Sequence, residues 1–136
     1  MCLLKIGKPQ IATKDIIVYK HIRHSEADGY ETSYQFAPVI FKKVLRSKLN
    51  VYHNGSYSSI HEGLHSYCNE ADAHNQAMYF DEVLVQCTIT KGSTYYEGLY
   101  YSSTGKVRSI ASNKLRYDKI ISDFSPIPNS FNPYNI

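Results

Sequence analysis

The sequence predicts an α+β fold: a twisted, mostly antiparallel sheet of about five or six strands with one main helix. Three observations carry this prediction. Apolar residues alternate over Glu82–Thr90, as in a strand with one buried face. β-Branched and aromatic residues crowd Asp15–Arg23, which is typical of a strand. A capping residue and then mostly good helix formers run from Asn69 to about Tyr79, which indicates the helix.

Length and composition fit one domain. The chain has 136 residues, of which 43% are hydrophobic and 20% charged, as in ordinary globular proteins. We expect an irregular lead-in over residues 1–14, one α+β domain over residues 15–121 and a coil tail over residues 122–136. No apolar run reaches the roughly 18 residues of a membrane span, and the opening is too short for a signal peptide. A cytoplasmic protein without a membrane partner is the expectation.

The segments between and after these elements carry shorter sequence signals for secondary structure. Residues 33–49 fit either an edge strand beginning after Pro38 or a short amphipathic helix, and their β-branched residues favour the strand. Asn54–Gly55 is a strong turn signal. Gly98 interrupts a tyrosine-rich strand and suggests a bulge. The strands expected after the helix are Glu82–Thr90, Ser93–Tyr101, Lys106–Ile110 and Leu115–Ile121.

Charge, cysteine and tyrosine content narrow the function classes. The net charge is +3, and basic residues gather over residues 42–48 and 106–119, where they can attract anions. Cys2, Cys68 and Cys87 match no metal-knuckle spacing and are expected as reduced thiols. The 13 tyrosines, in a chain without tryptophan, suit half-buried strands and binding surfaces.

Residues 61–65 spell H-E-x-x-H, the signature of zinc peptidases. In such an enzyme His61 and His65 bind the metal one helical turn apart, and Glu62 is the general base. The serines, tyrosines and Gly63 of residues 56–69 make a poor helix, by on the order of 5 to 6 kcal/mol relative to alanine. We therefore favour a strand that turns into the capped helix, with no cofactor, and keep zinc catalysis as the alternative.

A second enzymatic alternative rests on His21 and Glu97. A strand histidine, a Ser-Thr patch and a late glutamate resemble the layout of ADP-ribosyltransferases. In that fold the histidine holds the nucleotide ribose and the glutamate orients the reaction. Here the patch Ser102–Thr104 follows the glutamate instead of preceding it.

Tyrosines and basic residues also interleave late in the chain, on strands expected to be adjacent. Bases can stack on such rings while cations meet phosphate, so nucleic acid stays open as a partner. The alternative is that the tyrosines pack inward and the cations are solvated. The predicted binding residues are Tyr19, His21, His65, Tyr95, Tyr96, Tyr101, Lys106, Arg108 and Arg116. His65 is singled out because its ring could hydrogen-bond backbone groups at the strand-to-helix joint.

Short motifs within residues 15–121 resemble a loose set of small, uncharacterised phage and bacterial domains. The set shares a Val-Tyr-Lys strand, a Glu-Gly-x-His-Ser-aromatic turn, an Ala-containing helix and a Lys-Gly-x-x-Tyr-Tyr-x-Gly segment. The matching residues are Val18–Lys20, Glu62–Tyr67, Glu70–Ala73, Val83–Thr90 and Lys91–Gly98. Leu64 stands where the set has an aromatic residue. No activity is established for the set, so the resemblance implies a fold pattern and a mobile-element origin.

These observations lead to a non-enzymatic binding or modulator protein of phage type, with an anti-defence role as a candidate. Its expected partner is a host protein or a small anionic, nucleotide-like ligand in the host cytoplasm. The oligomeric state is left open. The zinc-dependent peptidase and the ADP-ribosyltransferase-like enzyme are the alternatives.

Overall fold

The computed structural model describes residues 3–4, 6–25, 29–32, 37–54, 57–76, 81–102 and 105–122. Within these residues the chain forms thirteen strands and one helix, and the strands take up 67% of them. The strands are β1 (Leu3–Leu4), β2 (Gln10–Ile11), β3 (Ile16–His24), β4 (Tyr30–Thr32), β5 (Pro38–Val39), β6 (Val44–Arg46), β7 (Asn50–Asn54), β8 (Tyr57–Glu62), β9 (Leu64–Tyr67), β10 (Glu82–Ile89), β11 (Thr94–Ser102), β12 (Gly105–Ser112) and β13 (Lys114–Ser122). The helix, α1 (Glu70–Asn75), lies between β9 and β10.

The predicted α+β class is wrong, because the protein is mostly β and its sheet curls into an antiparallel half-barrel. The expected five or six strands omitted β7 and most of the short ones, whereas the edge strand favoured within residues 33–49 is present as the short strands β5 and β6. β1, β2, β4, β5 and β6 have two or three residues each, too few to show a period of two. Two of them lie in the predicted lead-in, where pairing with longer neighbours holds them extended. The predicted tail beyond residue 122 lies outside the described residues.

The long strands were predicted well, and they form the centre of the sheet. Its order is β6-β13-β10-β3-β9-β12-β11-β1-β8-β7, with β2 beside β11, β4 beside β3 and β5 beside β4. β3 and β10 pair without a break from Glu82 opposite Arg23 to Ile89 opposite Ile16. A bend at Asn113 carries the chain from β12, between β9 and β11, into β13, between β10 and β6.

One face of the sheet encloses the largest apolar cluster, here called the inner core. It joins side chains from strands as far apart in the sheet as β11 and β13, such as Tyr95 and Leu115, so this face is the concave one. Alternate residues of β3 and β10 point into it, among them Val18, Ile22 and Cys87. The period of two predicted for β10 is therefore confirmed, with Cys87 as a small apolar residue, and β3 shows the same alternation.

Helix α1 covers part of the opposite, outer face. It begins where predicted: the Asn69 side chain accepts a hydrogen bond of 2.8 Å from the Asp72 backbone N–H. Ala73 is its buried residue and packs with Tyr67 of β9 and Leu84 of β10. The helix predicted to reach Tyr79 has six residues, and residues 77–80 lie outside the described part of the chain.

The H-E-x-x-H segment forms a strand, a bend and a strand. β8 ends at Glu62, β9 begins at Leu64, and Gly63 lies between them in a nearly extended conformation with φ of 157°. A Cβ on this glycine would come within 2.6 Å of Leu49 Cδ2, so the bend also packs tightly. The helix that the zinc-peptidase interpretation requires is not formed at residues 61–65.

Candidate ligand site on the inner face

The most unusual side chain on the inner face is that of Lys20. It lies on β3 between Val18 and Ile22, which point to the same face and are almost fully buried. Lys20 itself is half-buried, so a charged side chain lies among enclosed apolar residues of the inner face. Burial lowers the pKa of Lys20 to about 8, and the nearby Cys87 thiol opposes this shift only in part.

A tyrosine and a serine share this environment. The Lys20 Nζ atom lies 6.0 Å from the centre of the Tyr117 ring. Tyr117 and Ser66 are both fully buried. Within the described part of the chain, neither the Tyr117 hydroxyl nor the Ser66 hydroxyl has a hydrogen-bond partner. Most buried polar groups are paired in proteins, so two unpaired hydroxyls in one protein need an explanation.

The strand register brings Ser66 to the same face as Lys20. Tyr67 of β9 is paired with Tyr19 of β3, and these two side chains point to the outer face. Ser66 and Lys20 are the next residues along the two antiparallel strands, so both point inward. Leu64, two residues before Ser66, lies in the inner core and supports this placement. We call Lys20, Ser66 and Tyr117 the Lys20 site.

Two thiols lie in or against the inner core, and both are poor nucleophiles. Burial raises the pKa of Cys87 to about 12 and that of Cys68 to about 11, so both are neutral thiols at physiological pH. Cys87 is the titratable group that interacts electrostatically with the Lys20 amine, and its thiol is uncharged at neutral pH. Among the described residues, no hydrogen bond or ion pair joins Lys20 to a carboxylate. The Lys20 site therefore has one ammonium and two hydroxyls that can donate hydrogen bonds. No carboxylate of the described residues accepts them.

His65 has a structural position in this fold. It is buried, with Nδ1 3.1 Å from the Gly63 carbonyl oxygen and Nε2 3.2 Å from the Ile60 carbonyl oxygen. Burial lowers the pKa of His65 to about 4, helped by the positive charge of Lys20 and opposed by the two carbonyls. The neutral ring has a single N–H and donates to one of these two carbonyl oxygens at a time, so this hydrogen bond braces the bend between β8 and β9 instead of the joint between strand and helix.

His21 and Tyr19 lie on the outer face near α1. His21 is buried, and its Nε2 atom is 3.0 Å from the Ala73 carbonyl oxygen of α1. Its ring lies 5.6 Å from that of Tyr67. Burial lowers the pKa of His21, so the ring is neutral near pH 7 and ties the helix to the sheet. Glu97 points to the opposite face on β11, which β9 and β12 separate from β3. The pair on which the ADP-ribosyltransferase alternative depends is therefore not assembled.

The predicted tyrosine-rich and basic surface is also divided. Tyr95 is buried in the inner core and donates a hydrogen bond of 3.0 Å to Gln10 Oε1, whereas Tyr96 packs on the outer face. Tyr101 is 38% exposed, and Lys106 Nζ lies 5.8 Å from the centre of its ring. Among the predicted residues, these two form the aromatic-cation contact that the structure shows.

The three predicted basic contacts do not converge. Arg108 of β12 lies 3.8 Å from the Glu97 carboxylate at an exposed position. Arg116 is on β13, four places from β12 in the sheet, and binds Asp118 at 2.7 Å and the Thr88 hydroxyl at 3.2 Å. The expected adjacency is confirmed for β11 and β12 but is wrong for β12 and β13, because the bend at Asn113 sends β13 to the other side of β3.

The sequence itself marks Lys20 as unusual, although it is not among the predicted binding residues. Ile16, Val18 and Ile22 define the inward positions of β3, and Lys20 is the polar residue in that series. A lysine at an apolar position of a buried strand suggests a special role. Ser66 and Tyr117 carry no comparable signal, because their faces depend on the pairing of distant strands.

Fold and site together define a small antiparallel half-barrel protein with a cationic group on its concave face. Neither a protein-family model, nor a curated protein, nor a solved structure matches the chain. The resemblance to phage and bacterial domains, and a host protein as partner, therefore remain predictions. In the described residues there is no helix of the length and hydropathy that a membrane span requires.

Proposed function

We propose that this protein is a non-enzymatic binding protein that takes the anionic oxygen group of a small ligand onto the Lys20 site. The observation that carries the proposal is a set of polar groups on one face that lack partners among the described residues: the Lys20 ammonium has no carboxylate, and the hydroxyls of Tyr117 and Ser66 have no hydrogen bond. A carboxylate or phosphate oxygen would accept from all three groups. The apolar inner face around them would contact the rest of the ligand.

Free energy favours filling such a site. Each buried polar group without a partner costs about 1–3 kcal/mol, and an ammonium in apolar surroundings costs more. An anion that pairs with Lys20 and accepts from Tyr117 and Ser66 offsets these costs together. Such charge-assisted hydrogen bonds are about twice as strong as neutral ones. The same logic gives the binding a pH dependence: above about pH 8 the ammonium is lost and affinity falls.

The test is a thermal-shift screen with aliphatic and aromatic carboxylates and mononucleotides. We expect at least one to stabilise the protein, by about 2.7 kcal/mol when its concentration is 100 times the Kd. Lys20→Met should abolish this stabilisation, because it removes the ammonium and keeps an apolar chain of similar length. Lys119→Met is the matched control, since Lys119 is an exposed lysine of β13.

Two results contradict the proposal. One is a ligand that stabilises the protein and Lys20→Met equally, which would place its site elsewhere. The other is a panel in which no carboxylate or phosphate stabilises the protein at millimolar concentration.

A further inference from the structure

The sheet ends on one side at β7 (Asn50–Asn54), which pairs with β8 along one edge. No strand of the described residues pairs with its other edge, whose backbone N–H and C=O groups can therefore receive a further strand. We propose that β7 pairs antiparallel with β7 of a second copy of this chain, so that two sheets join about a two-fold axis at Tyr52. This pairing is independent of the Lys20 site.

β7 lacks the features by which proteins usually protect an exposed edge, namely charged side chains, proline, a bulge or a very short strand. It has five residues, Asn-Val-Tyr-His-Asn, and none of them is a lysine, an arginine, a carboxylate or a proline. The one shift in its register with β8 places the extra residue, His61, on β8. The backbone of β7 is therefore regular along its outer edge.

The opposite end of the sheet, β6 (Val44–Arg46), is protected in this way. It has only three residues, and exposed cations lie on it and on both sides of it: Lys42, Lys43, Arg46 and Lys48. Two copies joined through β6 would bring these like charges together, which opposes association. Of the two ends of the sheet, β7 is therefore the one suited to self-association.

The sequence of β7 fits a copy of itself. In either direction it begins and ends with asparagine and has tyrosine at its centre. Two antiparallel copies in register about this centre place Tyr52 opposite Tyr52, Val51 opposite His53 and Asn50 opposite Asn54. No two like charges then lie opposite each other, so the strand has the self-complementarity that a two-fold interface requires.

The Tyr52 side chain is placed to contribute to this contact. It is 59% exposed, and its ring makes an edge contact with the His61 ring, with 5.3 Å between their centres. Val51 points to the other face, where it packs against the cluster that contains Ile60. Directly opposite residues of antiparallel strands have Cα atoms about 4.5–5.5 Å apart, so the two Tyr52 rings would meet and lose exposed area.

The first experiment is sedimentation of the full chain from micromolar to millimolar concentration. Pairing through one short strand buries less area than a stable dimer needs, so we expect a dimer that dissociates on dilution. Tyr52→Lys places two cations at the axis and should raise the Kd of the dimer by about tenfold or more. Val44→Lys should leave this Kd unchanged. It is the matched control, because Val44 is an apolar residue of the other edge strand and is 40% exposed.

A mixture of two variants tests the register and protects the result against a misfolded variant. Tyr52→Glu alone should also be monomeric, because two carboxylates would meet at the axis. Equal amounts of Tyr52→Lys and Tyr52→Glu should dimerise again, since opposite charges then face each other. A mixture that stays monomeric would refute pairing centred on Tyr52.

Three further results would overturn the proposal: a wild type that is monomeric at millimolar concentration, a dimer that Tyr52→Lys leaves intact, or a dimer that Val44→Lys dissociates. Hydrogen exchange of the β7 amides identifies what covers the edge. We expect their exchange to slow as the protein concentration rises. Slow exchange at every concentration in a monomer would mean that another part of the same chain occupies this edge, which also contradicts the proposal.

Discussion

At the scale of single residues, the charge of Lys20 lowers the stability of the fold and provides the cation of the proposed binding site. A charge on the inner face opposes folding, and natural proteins keep such a group where function needs it. The pKa of Lys20 in the folded protein, about 8, lies below its value of 10.5 in the unfolded chain. The unfolded state therefore binds the proton more tightly, and the cost is fully present below about pH 8.

We expect Lys20→Met to raise the free energy of unfolding at pH 7 by about 2 kcal/mol. This gain should shrink as the pH rises from about 8 to about 10.5, because the wild-type lysine loses its charge in both states. Urea unfolding at both ends of this range measures the difference, with Lys119→Met as the exposed control. A less stable Lys20→Met at pH 7, or a gap that does not change with pH, would contradict the assignment.

His65 predicts a pH dependence in the acid range. Its pKa is lowered to about 4 in the folded protein, chiefly by burial, so the folded state holds the ring neutral. Its contribution to stability is present above about pH 6.5 and is lost as the pH falls to about 4, by up to about 3 kcal/mol.

Urea unfolding of the wild type and of His65→Gln across this pH range isolates the effect of His65. We expect the two free-energy curves to converge as the pH falls, since the variant lacks the titrating ring. His53→Gln, at an exposed position on β7, controls for the loss of a histidine. Parallel curves for His65→Gln and the wild type would show that His65 does not titrate as described.

At the scale of elements, Gly98 shows how a short strand is accommodated. The register of β11 with β12 runs through Gly98 without a shift, so the predicted bulge is absent. A Cβ at this position would lie 2.6 Å from the Leu4 carbonyl oxygen and 2.9 Å from Leu3 Cγ. Gly98 therefore allows β1 to approach β11 closely and to bury Leu3.

We expect Gly98→Ala to reduce the free energy of unfolding by about 1–3 kcal/mol, because backbone must move to admit the methyl group. Hydrogen exchange of the β1 amides should accelerate in the same variant. Gly7→Ala is the matched control, since a Cβ at Gly7 would meet no atom within 4 Å. Equal stability of the two variants would mean that β1 does not depend on this contact.

Local sequence predicted the elements that local physics determines. β10 was found because its alternation over eight residues requires one buried face, and β3 because its β-branched and aromatic residues favour an extended backbone. The start of α1 was found because Asn69 satisfies a backbone N–H at the helix end. β1 could not be found this way, since its two residues are held by β8 and β11 and show no pattern of their own.

At the scale of the whole molecule, the sequence could not supply the strand order, and most of the site follows from that order. Tyr117 reaches Lys20 because β10 pairs with both β3 and β13. Arg108 and Arg116 lie close in sequence, yet the bend at Asn113 sends them to different parts of the sheet. The composition correctly indicated a sheet rich in tyrosine, but the curling that makes one face concave has no signature in a single strand.

The order of strands also has a kinetic consequence. β3 lies beside β10, and β1 beside β11, so neighbours in the sheet come from opposite halves of the chain. Long loops must close before such contacts form, which places folding in the slow range typical of nonlocal β topologies, about milliseconds to seconds. Lys20, Ser66 and Tyr117 lie on β3, β9 and β13, so they share one face only once these distant segments have met, and binding at these residues would report the last stage of assembly.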